Sequence, residues 1–248
     1  ISVNCNYPGY DLVFDCFSGD FQTAVLQNNA YWERHIMGFI SKNMSLNRPF
    51  FDIGANIGFH SIMCQKIITE KTIVVAVEPH PTILSVLKKN RSQNNCDFHI
   101  VEAACWDSNG YLEMRSELGS DTGDTFVSTG DLKIPAVLID DLADKFGHPQ
   151  IIKIDIQGFE ADAILGAKKT IQRGDVFIIL EFAPKLSKRS SNDLMKSFEI
   201  FEKNNYVPNF FRASPGWTYE MLTYDILRSL STVWSENGGA VDLIFRQN

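Results

Sequence analysis

No stretch of this chain approaches the roughly 18 consecutive apolar residues of a membrane-spanning helix, although 44% of its 248 residues are hydrophobic. A helical membrane protein is thereby excluded, and the composition is that of a soluble globular protein. Cysteine is sparse and unpatterned. Cys5, Cys16, Cys64, Cys96 and Cys105 are odd in number and include no C-x-x-C pair, which argues against a zinc site and a full disulfide framework and favours a reducing, cytoplasmic location. Basic charge is in deficit. With 23 Lys and Arg against 30 Asp and Glu the net charge is -7, which weighs against a partner held by many phosphate contacts. The basic patch Lys88-Lys89-Asn90-Arg91 falls on a predicted helix and reads as a solvated face, and Lys185-Leu186-Ser187-Lys188-Arg189 is the other such patch. The first residues, Ile1-Ser2-Val3-Asn4-Cys5, have neither a methionine nor the basic-then-apolar run of a signal peptide, and read as a trimmed or processed start.

Past residue 50, apolar runs rich in Val, Ile and Phe alternate with helical stretches, without internal repeats. That alternation predicts an α/β fold with a doubly wound, mostly parallel sheet. The expected strands are 50–53, 73–77, 97–103, 150–155 and 176–181, apolar throughout because helices cover both faces. Helices are expected at 58–69, 81–94, 158–173 and 191–204, the last with Ser191 or Asn192 as N-cap. Two more strands, near 206–212 and 240–246, close the far edge, with a loop and short helix between them. Residues 109–137 are polar and turn-rich and read as a hairpin-like insertion. Residues 1–49 form an N-terminal extension containing an amphipathic helix, 31–44, that caps the sheet or roofs the site. The whole, 1–248, is read as a single domain with its Rossmann-like core at 50–248.

The chemistry begins at Phe51-Asp52-Ile53-Gly54-Ala55-Asn56-Ile57-Gly58, followed by Val74-Val75-Ala76-Val77-Glu78-Pro79. Two apolar strands each ending in an acid, with an open turn after the first, form one half of a nucleoside-cofactor site. A dinucleotide needs G-x-G-x-x-G so that its pyrophosphate can reach a helix N-terminus. Here the glycines stand four apart and Asn56 occupies the middle position. S-adenosylmethionine carries no phosphate and has a cationic amino acid end, which Asp52 suits.

Four blocks in order resemble the FkbM-type methyltransferases, a class I S-adenosylmethionine-dependent family: Phe51-Asp-Ile-Gly-Ala-Asn-Ile-Gly-Phe-His60; Val75-Ala-Val-Glu-Pro79 with Leu87-Lys-Lys-Asn90; Val137-Leu-Ile-Asp-Asp-Leu142; and Ile152-Lys-Ile-Asp-Ile-Gln-Gly-Phe-Glu160 with Leu165-Gly-Ala167. The resemblance runs from about residue 31 to 183 and is most specific in the last block. It implies a seven-stranded sheet of order 3-2-1-4-5-7-6 and methyl transfer to a hydroxyl oxygen of a sugar, polyketide or other small metabolite. Gln157 departs from the pattern, since the family usually has glutamate there, and this weakens any carboxylate or metal role at that position. The expected partner is a small-molecule or glycan acceptor rather than nucleic acid. Methyl transfer from a sulfonium is an in-line displacement, so the protein mainly aligns two atoms, worth about 7–11 kcal/mol, and removes the hydroxyl proton.

Asp52 and the turn residues Gly54, Ala55, Asn56 and Gly58 are expected to line the methionine end of the cofactor. Glu78, followed by Pro79, is expected to accept from its ribose hydroxyls. Ala104 and Cys105, after Glu102, end the third strand beside the adenine position, with packing as the competing reading. Asp155 ends the fourth strand and is expected at the cofactor's methyl, as the leading catalytic residue. Lys153, two residues earlier on the same face, serves either catalysis or a buried ion pair with Asp155. Glu160 sits where a helix dipole favours an acid. Glu181 closes the fifth strand beside Asp155, to bind the acceptor or act as base. Two such carboxylates can hold Mg²⁺, but no third ligand stands out, so no metal residue is assigned. His35, His60 and His80 read as satisfied or solvated, with His60 within reach of substrate, and Trp32 and Glu33 are placed near the acceptor pocket by position alone. Three alternatives stand beside this: an RNA ribose methyltransferase using Lys42, Asp155, Lys185 and Glu236, which the acidic charge disfavours; a nucleotide-dependent oxidoreductase, which Asn56 disfavours; and an inactive cofactor-binding module.

Overall fold

The computed structural model describes residues 1–7, 10–28, 32–45, 47–68, 72–118, 127–212 and 218–248. The chain forms two compact units, one of residues 1–104 with 111–135 and the other of 105–110 with 136–248.

The first unit opens with an antiparallel hairpin, β1 (Ser2–Tyr7) and β2 (Tyr10–Asp15), which the sequence reading did not anticipate. Its signal is short: Val3, Cys5 and Tyr7 alternate inward with polar residues between them. Helices α1 (Phe21–Gln27) and α2 (Arg34–Asn43) follow. The latter falls inside the expected 31–44 and buries Ile36, Met37, Phe39 and Ile40; Tyr31 lies outside the described residues. Next come β3 (Phe50–Ile53), α3 (Phe59–Ile67), β4 (Val74–Val77), α4 (Pro81–Gln93) and β5 (His99–Val101). The three strands run parallel in the order β5-β4-β3, with Asp52 opposite Ala76 and Ile53 opposite Val77. Every residue of β3 and β4 is buried, as in strands covered on both faces.

Strands β7 (Gly110–Met114) and β8 (Leu132–Val137) occupy the stretch read as a hairpin-like insertion, and Ala104–Cys105, expected to end the third strand, form a separate short strand β6 that pairs with β8. Leu112, Met114, Val127, Leu132, Ile134 and Ala104 form a small separate core there, and Met114 bridges Val127 in antiparallel fashion. Gly119 and Gly123 fall outside the described residues.

The second unit contains α5 (Ile139–Phe146), β9 (Ile151–Ile154), α6 (Glu160–Leu165), α7 (Lys168–Arg173), β10 (Phe177–Phe182), α8 (Leu194–Ser197), α9 (Glu199–Lys203), β11 (Tyr206–Arg212), β12 (Thr218–Met221), α10 (Tyr224–Asn237) and β13 (Val241–Gln247). Its strands are ordered β9-β10-β13-β11-β12. β9 and β10 are parallel, but every pairing beyond β10 is antiparallel. The sheet of this unit is therefore mixed: β11 and β12 are antiparallel neighbours, and β13, after α10, enters between β10 and β11.

Three helix boundaries differ from expectation. The stretch 158–173 is two helices, parted at Gly166, which lies so close to Trp106 that a Cβ would sit 2.1 Å from its carbonyl oxygen. The second of these, α7, is capped from a distance, as Asp140 accepts from the backbone N–H of Lys169 and Thr170 at 3.0 and 2.8 Å. The stretch 191–204 is also two helices, and the N-cap is Asp193, which accepts from Lys196 N–H, in place of Ser191 or Asn192. Helix α10 has 14 residues where a short helix was expected. Only Leu227 of it is buried, although Ile226, Leu227, Leu230, Val233 and Trp234 recur at helical spacing.

Candidate active site

The turn after β3 is built by backbone conformation and one buried carboxylate. Gly54, Asn56 and Gly58 all have left-handed φ, at 81°, 49° and 89°. Gly54 and Ala55 N–H both donate to Val77 O at 3.0 Å, tying the turn to the end of β4. Glu78, the next residue, is buried and accepts from Asn56 N–H at 3.0 Å and from His80 N–H at 2.9 Å. These two bonds hold the turn and the entry to α4 on one side chain. Burial pushes the Glu78 carboxyl up to about 7, against the pull of those backbone bonds. Gly58 serves packing as well, since a Cβ there would lie 2.4 Å from Leu87 Cδ1.

Asp52 is buried, and its Oδ2 accepts from Ser61 Oγ at 2.6 Å. Its Oδ1 has no hydrogen-bond partner among the described residues. A carboxylate oxygen in that state is an acceptor for a cationic ligand, which fits the amino acid end of S-adenosylmethionine. Asn90 was missed as a supporting residue. Fully buried on α4, it donates to Ile57 O in the turn and to Asp15 O of β2, and accepts from Asp15 N–H. Its signal was available: Ile83, Leu87 and Asn90 share one helix face, and an amide in an apolar stripe must find partners.

The other expected residues of this unit take varied places. His60 Nε2 lies 3.1 Å from Glu33 Oε2, and both are largely buried. His80 is buried with Nε2 3.1 Å from Arg115 O, and burial lowers its pKa. His35 lies half-buried in α2. Trp32 meets Phe21 edge-on at 5.8 Å. Ala104 packs into the small core described above, while Glu102 is an exposed partner of Lys88.

In the second unit β9 delivers a compact polar group. Lys153 is buried and donates to Asp155 Oδ2 at 2.9 Å, while Gln157 Nε2 donates to Asp155 Oδ1 at 3.1 Å. Both oxygens of Asp155 are thus held, and its side chain is 24% exposed, open to an incoming molecule. Gln157 has a left-handed φ of 57°, and Arg189 donates to its carbonyl at 2.9 Å. The amide at position 157 therefore orients Asp155 by donating, which a carboxylate there could do only when protonated. Gly158, at φ 104°, passes so close to the segment after β10 that a Cβ would lie 2.2 Å from Leu186 O. Gly158→Ala is expected to destabilise the protein by about 2–5 kcal/mol, from backbone strain and a clash with an immobile carbonyl. Urea unfolding checks this, and a wild-type midpoint would rule the contact out.

Glu160 is fully buried, and its Oε1 accepts from Ile156 and Gly158 N–H, both at 3.1 Å. Its Oε2 has no hydrogen-bond partner among the described residues. Burial pushes the carboxyl up to about 7. The native state thus holds this proton more tightly than the unfolded chain. The stability it contributes is complete below the ordinary carboxylate value of 4.5 and is lost as pH rises through about 7. Relative to wild type, Glu160→Gln should gain stability across that window, because the amide keeps an acceptor and never ionises. Equal differences in urea midpoint at about pH 5 and about pH 8 would contradict this.

Glu181 is the penultimate residue of β10, one position past Leu180, which pairs with Ile154, and so comes level with Asp155 just after β9. Lys42, Lys185 and Glu236 are exposed, and none of them is bonded to Asp155. Among the described residues, no three His, Cys, Asp or Glu side chains are grouped so as to hold a metal ion, and no helix is long and apolar enough to cross a membrane. None of the five cysteines forms a disulfide.

A solved structure of methyltransferase FkbM from Methylobacillus flagellatus KT shares the fold, with a TM-score of 0.52 at 17% identity over 82% of this chain and 44% of that one. The curated hexuronic acid methyltransferase AglP of Haloferax volcanii is 24% identical over 152 residues, 60% of this chain and 62% of that protein. The chain thus matches less than two thirds of either relative's length. The fold is that of a methyltransferase. The chain belongs to the FkbM family: residues 52–208, more than half of it, match the methyltransferase FkbM domain.

Proposed function

We propose that the protein methylates a hydroxyl oxygen of a small molecule, most specifically of a sugar or glycan. The observation that carries this is Asp155, a partly exposed carboxylate with each oxygen held by a donor. The hexuronic acid methyltransferase among its relatives supports a sugar acceptor. The strand runs β5-β4-β3 and β9-β10-β13-β11 correspond to 3-2-1 and 4-5-7-6 of a class I methyltransferase sheet.

S-adenosylmethionine, when bound, supplies a methyl group on a cationic sulfur, whose carbon–sulfur bond breaks as the new oxygen–carbon bond forms and a neutral thioether leaves. Asp52, Gly54, Ala55, Asn56 and Gly58 would hold its amino acid end, and Glu78 with Pro79 its ribose, while Ala104 packs into the small core instead. Asp155 receives the acceptor's hydroxyl proton. Lys153 and Gln157 keep that carboxylate in place, so that little reorganisation is needed during the reaction.

Calorimetry with S-adenosylmethionine and with its demethylated product tests the cofactor half, with micromolar binding expected; binding of neither would overturn it. Methyl transfer from labelled cofactor to hexuronide-containing glycans tests the acceptor half. Transfer to RNA instead would redirect it.

A further inference from the structure

Glu181 has an unusual set of neighbours. Asp155 stands level with it at the end of β9, and Asp242 is its register partner on β13. Glu160, from the start of α6, also repels its negative charge, and the cation acting on it is Lys153, which is bonded to Asp155. Three carboxyl groups thus act on Glu181, and Lys153 opposes them. Glu181 Oε2 is buried and has no hydrogen-bond partner among the described residues. That placement is costly for an ionised oxygen and far less so for a carboxylic acid. Burial and the charges of Asp155, Glu160 and Asp242 push the Glu181 carboxyl up to about 9, against the opposing pull of Lys153.

We propose that Glu181 works as the neutral acid, donating a hydrogen bond to an oxygen of the acceptor while its neighbour Asp155 accepts the proton. This rests on the role given to Asp155 above. Two adjacent carboxyl groups then have opposite tasks set by their surroundings. An acceptor with neighbouring hydroxyls, as on a sugar ring, offers one oxygen to each. The ionised form of Glu181 would repel the oxygen it is meant to hold.

Infrared difference spectra of the full chain without cofactor or acceptor test the protonation directly. Between about pH 8 and about pH 10.5, above the range of Glu78 and Glu160, the wild type should lose one carboxylic acid C=O band. Glu181→Gln should lack that band and Glu160→Gln should keep it. A wild type without the band, or Glu181→Gln with it, overturns the proposal. The donor role is read in transfer from labelled cofactor to methyl β-D-glucuronide. Activity should fall as pH rises through about 9 in the wild type, and this fall should vanish in Glu181→Gln. Glu181→Gln should exceed Glu181→Ala by about tenfold in kcat/KM, since the amide restores a donor. Equal loss in both variants would make Glu181 a base and overturn the proposal. Failure of the sugar reading shows separately, as no transfer to the glucuronide by wild type while the infrared band is present.

Discussion

Asp155→Asn should lower the rate of methyl transfer by about 100- to 10,000-fold, the usual worth of a positioned general base, while cofactor affinity stays within about threefold. The amide has the shape of the carboxylate but cannot take a proton from the acceptor hydroxyl. It also presents an N–H₂ to either Lys153 Nζ or Gln157 Nε2, which now donate to Asp155 at 2.9 and 3.1 Å, so part of the loss comes from disturbed orientation. Single-turnover transfer and cofactor calorimetry on the same preparation separate the two quantities. Unchanged turnover would remove Asp155 from the chemistry, and a collapse of cofactor affinity would move it to the cofactor site.

The second large effect is expected at Glu78. Its carboxylate holds the N–H of Asn56 and of His80, and Glu78→Ala leaves both without their acceptor. At about 1–3 kcal/mol for each buried donor left unpaired, the gross cost is about 2–6 kcal/mol. Relief of a carboxyl that burial has already pushed up to about 7 offsets part of it, so the lower half of that range is expected above neutral pH. Asn56, at φ 49°, loses the bond that secures its left-handed conformation, so cofactor affinity should fall by more than tenfold. Glu78→Gln keeps one acceptor oxygen and should lie between wild type and Ala on both measures. Urea unfolding and calorimetry decide this, and an Ala variant with wild-type stability and binding would show that the turn stands without Glu78.

The elements legible in the sequence were those whose burial pattern is local. β3 and β4 read as strands because all four residues of each are apolar or buried, and α2 because Ile36, Phe39 and Ile40 share a face. The full length of α10 was legible too, since Ile226, Leu227, Leu230, Val233 and Trp234 recur at helical spacing. The features missed depend on contacts distant in the chain. The break between α6 and α7 falls at Gly166, which approaches Trp106, about 60 positions away in the chain, and no window of sequence contains both residues. Asp193 took the capping role expected of Ser191 or Asn192 because all three can cap and only the chain path selects one.

The sequence by itself determined the class of chemistry. The two acids ending β3 and β4, the turn of Gly54 to Gly58, and the run from Lys153 to Glu160 are contiguous motifs, and contiguity lets a backbone conformation be read from residue types. Tertiary structure alone decided what each polar group does. Glu78 clamps two backbone donors in addition to any ligand, Asn90 braces the turn from α4, and Gln157 serves Asp155 as a donor. The carboxyls of Glu160 and Glu181 are raised to about 7 and about 9. Such roles depend on burial and on which charges come within a few ångströms, and these are set by packing between segments distant in the chain.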